Sequence, residues 1–351
     1  MLPVNVTVSV TNMCNSKCRT CFIWNYYAEN PNEKDREFRA KEFSGVFESL
    51  GQAPYWFTMS GGEPFLRRDL PEICEAAAQY CEPSIISIPS NGLLPEIVKE
   101  ETEKILKRIG KTTLIVNLSL DGLEEEHDEI RGVKGNFKLL METYKGLWEV
   151  KKNSSNLQLG FHSVVSKFNV NSLMKLYDYV RALEPDSYIT EMAEERAELF
   201  NLGKGIAPDP QEYENFVMEL SKQIKSDYLR SSRKISRFTQ AFRLRYYQTA
   251  SRWLWERRQQ TPCYAGYASC QITPFGDVWP CCTLGYDKRM GNVREHNYDF
   301  RKVWFSAEAD RVRRFVKAGN CSCPLANAHY TNMLCDATSI LHVLRYALNV
   351  T

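Results

Sequence analysis

The stretch CNSKCRTC (residues 14–21) places three thiols within eight residues, directly after the strand-like run at residues 4–10. The spacing C-x3-C-x2-C leaves Cys14, Cys18 and Cys21 one ligand short of the closed tetrahedron that a structural zinc site requires. No histidine lies nearby to complete it, since the closest one is His127. Three ligands with one open position suit a [4Fe–4S] cluster whose fourth iron has no protein ligand.

Strand-like and helical runs alternate from residue 4 to residue 200. The strand-like runs have the sequences VNVTVSV, YWFTMS, SIISIPS, TLIVNLSL, LQLGFHSVV and SYITEM. Six β/α units predict a parallel sheet with right-handed crossovers, either open or curled into a partial barrel. In both cases the chemistry is expected at the carboxyl ends of the strands.

Composition narrows the class of protein. The chain has 351 residues, of which 43% are hydrophobic and 25% charged, and a formal net charge of +2. This charge predicts no nucleic-acid or membrane partner. The amino-terminal residues lack the basic start and apolar core of a signal peptide, so we expect a cytoplasmic protein. In that compartment the twelve cysteines indicate metal binding or redox chemistry rather than disulfides.

Four further segments accompany the cysteine motif, three at strand ends and one along the fifth strand. They are SGGEPF (residues 60–65), IPSNG (88–92), SLDGLEEEHDEIRG (119–132) and HSVVSKFN (162–169). With the C-x3-C-x2-C motif after a first strand, they resemble the radical S-adenosylmethionine (SAM) enzymes over nearly the whole chain. The resemblance implies an α/β fold whose core, at residues 1–206, is a partial (β/α)6 barrel.

The resemblance also implies roles for individual residues. Cys14, Cys18 and Cys21 would hold a [4Fe–4S] cluster to which SAM binds. Glu63 and the neighbouring glycine backbone would contact the methionine amino group, and Arg131 would pair with the SAM carboxylate. The residues expected around SAM are Phe22, Trp24, Gly61, Gly62, Glu63, Ser90, Asn91, Ser119, Asp121, Arg131 and His162, with Asn169 beside them.

Two of these roles are specified further. Ser119 and Asp121 would face the ribose or the substrate. The residue before the third cysteine is usually aromatic in the family, but here it is Thr20. Phe22 and Trp24 would therefore cover the adenine instead.

A second cysteine group lies near the carboxyl end. The stretch CYAGYASCQITPFGDVWPCC (263–282) resembles the SPASM or twitch module that many radical SAM enzymes carry. The C-x2-C-x5-C-x3-C run of the full module is missing, which implies one auxiliary [4Fe–4S] cluster rather than two. A structural zinc site is the alternative. Five candidates compete for about four ligand positions, namely Cys263, Cys270, Cys281, Cys321 and Cys323, while Cys282 is expected to point away.

The segments between and after these groups complete the domain organisation. Residues 207–260 are predicted to form a helical linker, and residues 261–351 a small cysteine-rich domain with a closing helix. In the linker, aromatic residues from Phe238 to Trp253 recur at helical spacing among basic residues, Arg233 included. This pattern predicts an amphipathic helix packed on the domain. The alternative is a surface for an anionic head group, which would suit an amphiphilic substrate or a membrane surface.

The chemistry implied by the resemblance is reductive cleavage of SAM to a 5′-deoxyadenosyl radical, which takes a hydrogen atom from a substrate. The electron would come from a donor such as flavodoxin or ferredoxin.

Three hypotheses follow for the function. The favoured one is an oxidoreductase, dehydrogenase-like or rearranging, that acts on a small sugar, alcohol or lipid-linked molecule with help from the auxiliary cluster. The second is a peptide- or protein-modifying maturase, which we rank lower because the motif begins at Cys14 and leaves no space for a leader-binding domain. The third is a non-catalytic metal-binding scaffold, in which the turn at residues 61–64 would have no evident use.

Overall fold

The computed structural model describes residues 1–230 and 234–347 of the chain. The strands in these residues are β1 (Asn5–Thr11), β2 (Trp56–Gly61), β3 (Ile85–Ser90), β4 (Thr113–Ser119), β5 (Leu157–Val165), β6 (Ser187–Met192), β7 (Ser269–Ile272), β8 (Asp277–Trp279) and β9 (Gly291–Asn292). The α-helices are α1 (Tyr26–Glu29), α2 (Ala40–Leu50), α3 (Leu70–Cys81), α4 (Pro95–Arg108), α5 (Glu124–Arg131), α6 (Asn136–Lys152), α7 (Leu173–Ala182), α8 (Pro210–Arg230), α9 (Lys234–Glu256), α10 (Phe300–Trp304), α11 (Ala307–Lys317), α12 (Ala326–Cys335) and α13 (Ala337–Ala347).

The strands form one sheet in the order β6-β5-β4-β3-β2-β1-β7-β8-β9. The first six lie in chain order, and each pairs with the next in parallel. Helices connect them, as a parallel sheet requires. The predicted α/β fold with a six-unit parallel β/α core is confirmed.

The strand β1 lies inside the sheet, between β2 and β7, and one of its faces is formed by valines. Val6, Val8 and Val10 are fully buried, and β-branched residues pack well on a pleated surface. Helix α2 covers the sheet with a stripe at helical spacing, formed by Phe43, Phe47 and their neighbours. The core therefore forms around β1, which also carries the cysteine motif at its end.

The predicted helical linker consists of α8 and α9. Tyr246 and Tyr247 of α9 are buried and reach β6, where their hydroxyls accept hydrogen bonds from the amide of Met192 (3.2 Å) and the hydroxyl of Thr190 (2.9 Å). This face of the helix packs on the domain, as the first interpretation predicted. Arg233 lies outside the described residues, and the alternative of an anionic head-group surface stays a prediction.

The rear cysteine region joins the same sheet. Strand β7 pairs in parallel with β1, residues Ser269–Ile272 against Asn5–Val8, and β8 and β9 follow antiparallel. Because β1 and β7 run in the same direction, the loops after both strands leave the sheet at one edge. The sequence patterns did not predict this pairing.

None of the helices in residues 1–230 and 234–347 combines the length and the apolar character needed to cross a bilayer.

Candidate active site

The loop that carries the first cysteines is held against the end of β2. The amides of Gly62 and Glu63 donate to the carbonyl oxygens of Thr11 and Met13, both at 2.7 Å. A Cβ on Gly62 would lie 2.1 Å from the Met13 oxygen, so a larger residue would displace the loop. The glycines thus contact protein backbone, and their approach to a ligand stays a prediction.

The other side of the cysteine loop rests on the end of α5. The amides of Lys17 and Arg19 donate to the carbonyls of Arg131 (3.0 Å) and Ile130 (2.9 Å). A Cβ on Gly132 would lie 2.2 Å from the Lys17 oxygen. Backbone hydrogen bonds to the end of β2 and to the end of α5 therefore hold the cysteine loop on two sides.

The three front thiols lie close enough to influence one another. Burial raises the pKa of Cys14 to about 11 and that of Cys21 to about 12, and the neighbouring Cys18 raises both further. Opposing this, the backbone N–H of Ser16 donates to the Cys14 sulfur and that of Ile23 to the Cys21 sulfur. Hydrogen bonds to the sulfurs are one way in which a protein tunes an iron–sulfur cluster.

Four rear thiols form a second group with the same features. Burial raises the pKa of Cys281 to about 12, and Cys263 and Cys321 add to the effect. Burial also raises the pKa of Cys323, with contributions from Cys281 and Cys263. Backbone N–H groups two residues further along donate to three of the four, from Ala265, Thr283 and Leu325.

Cys270 does not join this group, which corrects its place among the candidate ligands. It lies on β7 in the main hydrophobic core. Burial raises its pKa, and its neighbour Arg313 opposes this, without a contribution from another thiol. Cys282 packs against Cys281 and Cys323, but its sulfur accepts a hydrogen bond from Arg196 at 2.8 Å.

Most of the thiols that fit a cluster receive a backbone N–H, and Cys321 is placed with them by its interaction with Cys263. Cys74 and Cys81 in α3 are buried, which raises their pKa, but receive no backbone N–H within the described part of the chain. An iron–sulfur cluster would be held by Cys14, Cys18 and Cys21, and an auxiliary one by the four rear thiols. In the described residues no group of three or more His, Cys, Asp or Glu side chains is arranged to hold one metal ion, and the zinc alternative stays a prediction.

Glu63 is enclosed beside the front thiols. Its carboxylate accepts hydrogen bonds from the amides of Asn91 (2.7 Å) and Phe65 (3.2 Å) and from the hydroxyl of Ser90 (3.0 Å). Burial raises its pKa to about 7, although these donors lower it. The predicted site residues Ser90 and Asn91 therefore support Glu63 directly.

Arg131 points toward the thiols from the end of α5. Its guanidinium donates to Asp121 at 3.0 Å, and its buried Nε has no partner among the described residues. That orphaned donor fits the carboxylate of SAM. Asp121 is 1% exposed, and its second oxygen accepts the amide of Val164 at 2.8 Å. Asp121 therefore holds Arg131 in place, and its approach to the ribose or the substrate stays a prediction.

The side chain of Asn169 also forms hydrogen bonds with backbone groups. Its amide nitrogen donates to the carbonyls of Asp121 (2.8 Å) and Val164 (3.0 Å). The predicted site residue therefore supports the turn that carries Asp121.

The remaining predicted residues lie around the same strand ends. Ser119 pairs in register with His162 on the neighbouring strand. Burial disfavours the charged form of His162, but Glu191 at 3.2 Å outweighs it and raises the pKa of the imidazole. Phe22 and Trp24 have ring centroids 6.4 Å apart, and the buried Trp24 Nε1 has no partner in the described residues. Their contact with adenine stays a prediction.

Sequence reasoning missed the loop after β6. Asn201 is fully buried, and its amide donates to the carbonyls of Thr20 (2.8 Å) and Glu194 (3.2 Å). Arg196 lies 3.6 Å from Glu194 and 3.8 Å from Glu198. The charged run at residues 194–198, directly after a sixth predicted strand, was the available signal.

Two adjoining cavities lead from the surface toward this loop. The outer one has a volume of about 440 Å³. It shares Phe275, Asp277 and Tyr286 with a narrow inner one of about 20 Å³ that reaches Asn12 and Glu198. Aromatic rings line the passage, with Trp279 and Tyr286 at 4.8 Å between centroids.

Comparison with protein families matches both cysteine regions. The model described as the radical SAM superfamily matches residues 8–179. A second model, SPASM, described as an iron–sulfur cluster-binding domain, matches residues 263–324.

Two curated proteins are similar in sequence. Fe-coproporphyrin III synthase of Methanosarcina barkeri is 32% identical over 49% of this chain. The antilisterial bacteriocin subtilosin biosynthesis protein AlbA of Bacillus subtilis is 24% identical over 91% of it. The chain spans 40% of the first protein and 65% of the second.

A solved structure shares the fold. The chain aligns with native anSMEcpe bound to AdoMet and the Cp18Cys peptide, with a TM-score of 0.61 and 17% identity. The alignment covers 99% of this chain and 97% of that one.

Proposed function

We propose that this chain, which belongs to the radical SAM superfamily and carries a SPASM domain, modifies a peptide or protein by radical chemistry. The favoured hypothesis from the sequence was a small-molecule substrate, and the comparisons favour its alternative. The observation that carries the proposal is the similarity to AlbA, a bacteriocin biosynthesis protein, over 91% of the chain. The match to Fe-coproporphyrin III synthase, by contrast, covers 49% of the chain.

The outer cavity of about 440 Å³ has space for a short segment of peptide. The fold itself admits a peptide, since anSMEcpe was solved with one bound.

The residues of the chain would bind and orient SAM beside the cluster, each with its own role. When bound, the cluster supplies the electron that cleaves SAM to a 5′-deoxyadenosyl radical. Glu63 accepts hydrogen bonds from the SAM ammonium, and Arg131 binds its carboxylate through the free Nε. Asp121 keeps Arg131 oriented. The buried setting of these groups excludes water from the radical.

A small-molecule substrate remains the second candidate. The specific observation for it is the similarity to Fe-coproporphyrin III synthase, at 32% identity.

The test is anaerobic incubation of the reconstituted protein with SAM and dithionite, with 5′-deoxyadenosine measured by chromatography. Replacing Cys14 by alanine should abolish the release, and replacing Cys74 should not, because Cys74 lies in the core of α3.

Substrate class is tested in the same reaction. Candidate precursor peptides and a set of tetrapyrroles are added separately, and products are identified by mass spectrometry. A mass change on a peptide supports the proposal. A change on a tetrapyrrole alone would replace it with the second candidate.

A further inference from the structure

The loop at residues 193–201 touches both cysteine regions. At one end, Asn201 donates to the carbonyl of Thr20 at 2.8 Å, next to Cys21. The amide of Phe22 also donates to the carbonyl of Leu199 at 2.8 Å. In the middle of the loop, Arg196 donates to the sulfur of Cys282 at 2.8 Å. The loop is thus a physical connection between the two thiol groups.

Arg196 brings a positive charge to that connection. Its side chain is 17% exposed. It donates to Cys282, which forms a small apolar cluster with Leu325 and Ala328, and the candidate ligands Cys281 and Cys323 pack against this cluster. Its charge also acts on the Cys21 thiol, where it opposes the effect of burial on the pKa. Water screens a buried charge little, so its field extends to both groups.

The carboxylates around Arg196 offset part of the electrostatic effect of its positive charge. Glu194 and Glu198 lie at 3.6 and 3.8 Å, beyond the distance of a direct hydrogen bond. Glu198 accepts a hydrogen bond from Gln271. Glu191 is already paired with His162. The direct hydrogen bond from the Arg196 guanidinium therefore goes to the cysteine side.

We infer that Arg196 is a positioning residue that holds positive charge beside the auxiliary cluster and raises its reduction potential. Reduction adds one negative charge to a cluster, and a nearby cation stabilises the added charge. The neighbouring carboxylates act in the opposite sense. Glu198 should therefore lower the same potential.

The experiment is a redox titration of the full chain, reconstituted with iron and sulfide and followed by electron paramagnetic resonance. The auxiliary signal is identified as the one that persists when Cys14, Cys18 and Cys21 are replaced by alanine. Arg196→Gln should shift its midpoint to more negative values. Arg196→Lys keeps the charge and should stay near the wild type. Glu198→Gln should shift the midpoint in the positive direction.

Arg314→Gln on the exposed face of α11 is the matched control for loss of one positive charge. The inference is overturned if Arg196→Gln moves the midpoint no more than this control, or if it moves it in the same direction as Glu198→Gln. Should Arg196→Gln fail to bind iron, Glu198→Gln decides alone, since a midpoint that does not rise would overturn the inference.

Discussion

Glu63 combines burial with a converging set of donors. Because Glu63 is only 2% exposed, its charged form loses most of its hydration. This burial raises the pKa of Glu63 to about 7. The amides of Asn91 and Phe65 offset part of this cost by donating to the charged form. A bound ammonium group would supply the missing countercharge.

We predict that Glu63 makes the cofactor-free protein less stable as pH rises from 4.5 to about 7. The folded state holds the proton of Glu63 to a higher pH than the unfolded chain, whose pKa is 4.5. Stability is therefore full below 4.5 and falls by about 3 kcal/mol through this window. Urea unfolding of the wild type and Glu63→Gln at several pH values isolates the effect. Parallel pH profiles for the two proteins would refute it.

Gly62 tests the close contact between β2 and the cysteine loop. Gly62→Ala should cost about 3 kcal/mol and prevent loading of the front cluster, because its Cβ would lie 2.1 Å from a backbone oxygen. Iron content and thermal unfolding measure both effects. The control is Gly146→Ala in α6, where the nearest atom is 3.6 Å away, and a gain of about 0.5–1 kcal/mol is expected. Normal iron content in Gly62→Ala would contradict the argument.

At the residue scale, what the sequence could predict depended on local spacing. Cys14, Cys18 and Cys21 lie within one short loop, so the spacing alone predicted that they act together, and Cys18 does raise the pKa of both other thiols. Arg196 and Asn201 act on partners that are far away in sequence, so the charged run at residues 194–198 could mark the loop but not its contacts. Cys270 was a wrong candidate, because it lies on a buried strand in the hydrophobic core. The sequence alone does not distinguish a cysteine in the core from one that binds a cluster.

At the scale of elements, α5 presents two groups to the cysteine loop at once. Its last carbonyls accept the loop amides, and Arg131 in its last turn reaches Asp121. Gly132 ends the helix in the left-handed conformation, with φ of 69°. The position of the loop therefore depends on where this helix ends.

The buried pair between Asp121 and Arg131 should be worth far more than a surface pair. Asp121→Asn removes one partner and should cost about 3–4 kcal/mol in urea unfolding, because Arg131 is left buried and uncompensated. Glu149→Gln breaks an exposed pair with Lys152 and should cost less than about 1 kcal/mol. Equal losses in the two variants would contradict the interpretation.

Strand prediction worked where an element is long and apolar. All six strands of the parallel core were predicted, since their buried runs are bounded by helical patterns. The strands β7, β8 and β9 have four, three and two residues and lie among cysteines. Runs this short carry no periodicity, and the pairing of β7 with β1 spans most of the chain.

At the scale of the whole molecule, β1 belongs to both regions. It pairs with β2 on one side and β7 on the other, and its buried valines lie in a core that also contains Ile272 and Val278. Both cysteine groups are therefore attached to the same sheet.

This continuity predicts that the parallel core of β1–β6 and the rear cysteine region unfold together. Amides of Trp56–Gly61 in β2 and Ser269–Ile272 in β7 should exchange with the same opening free energy under native conditions, measured by hydrogen exchange and mass spectrometry. Val8→Ala removes a fully buried side chain from β1 and should lower both values by about 2 kcal/mol. If only the β2 amides exchange faster in this variant, the rear region is a separate unit and the shared strand does not couple the two.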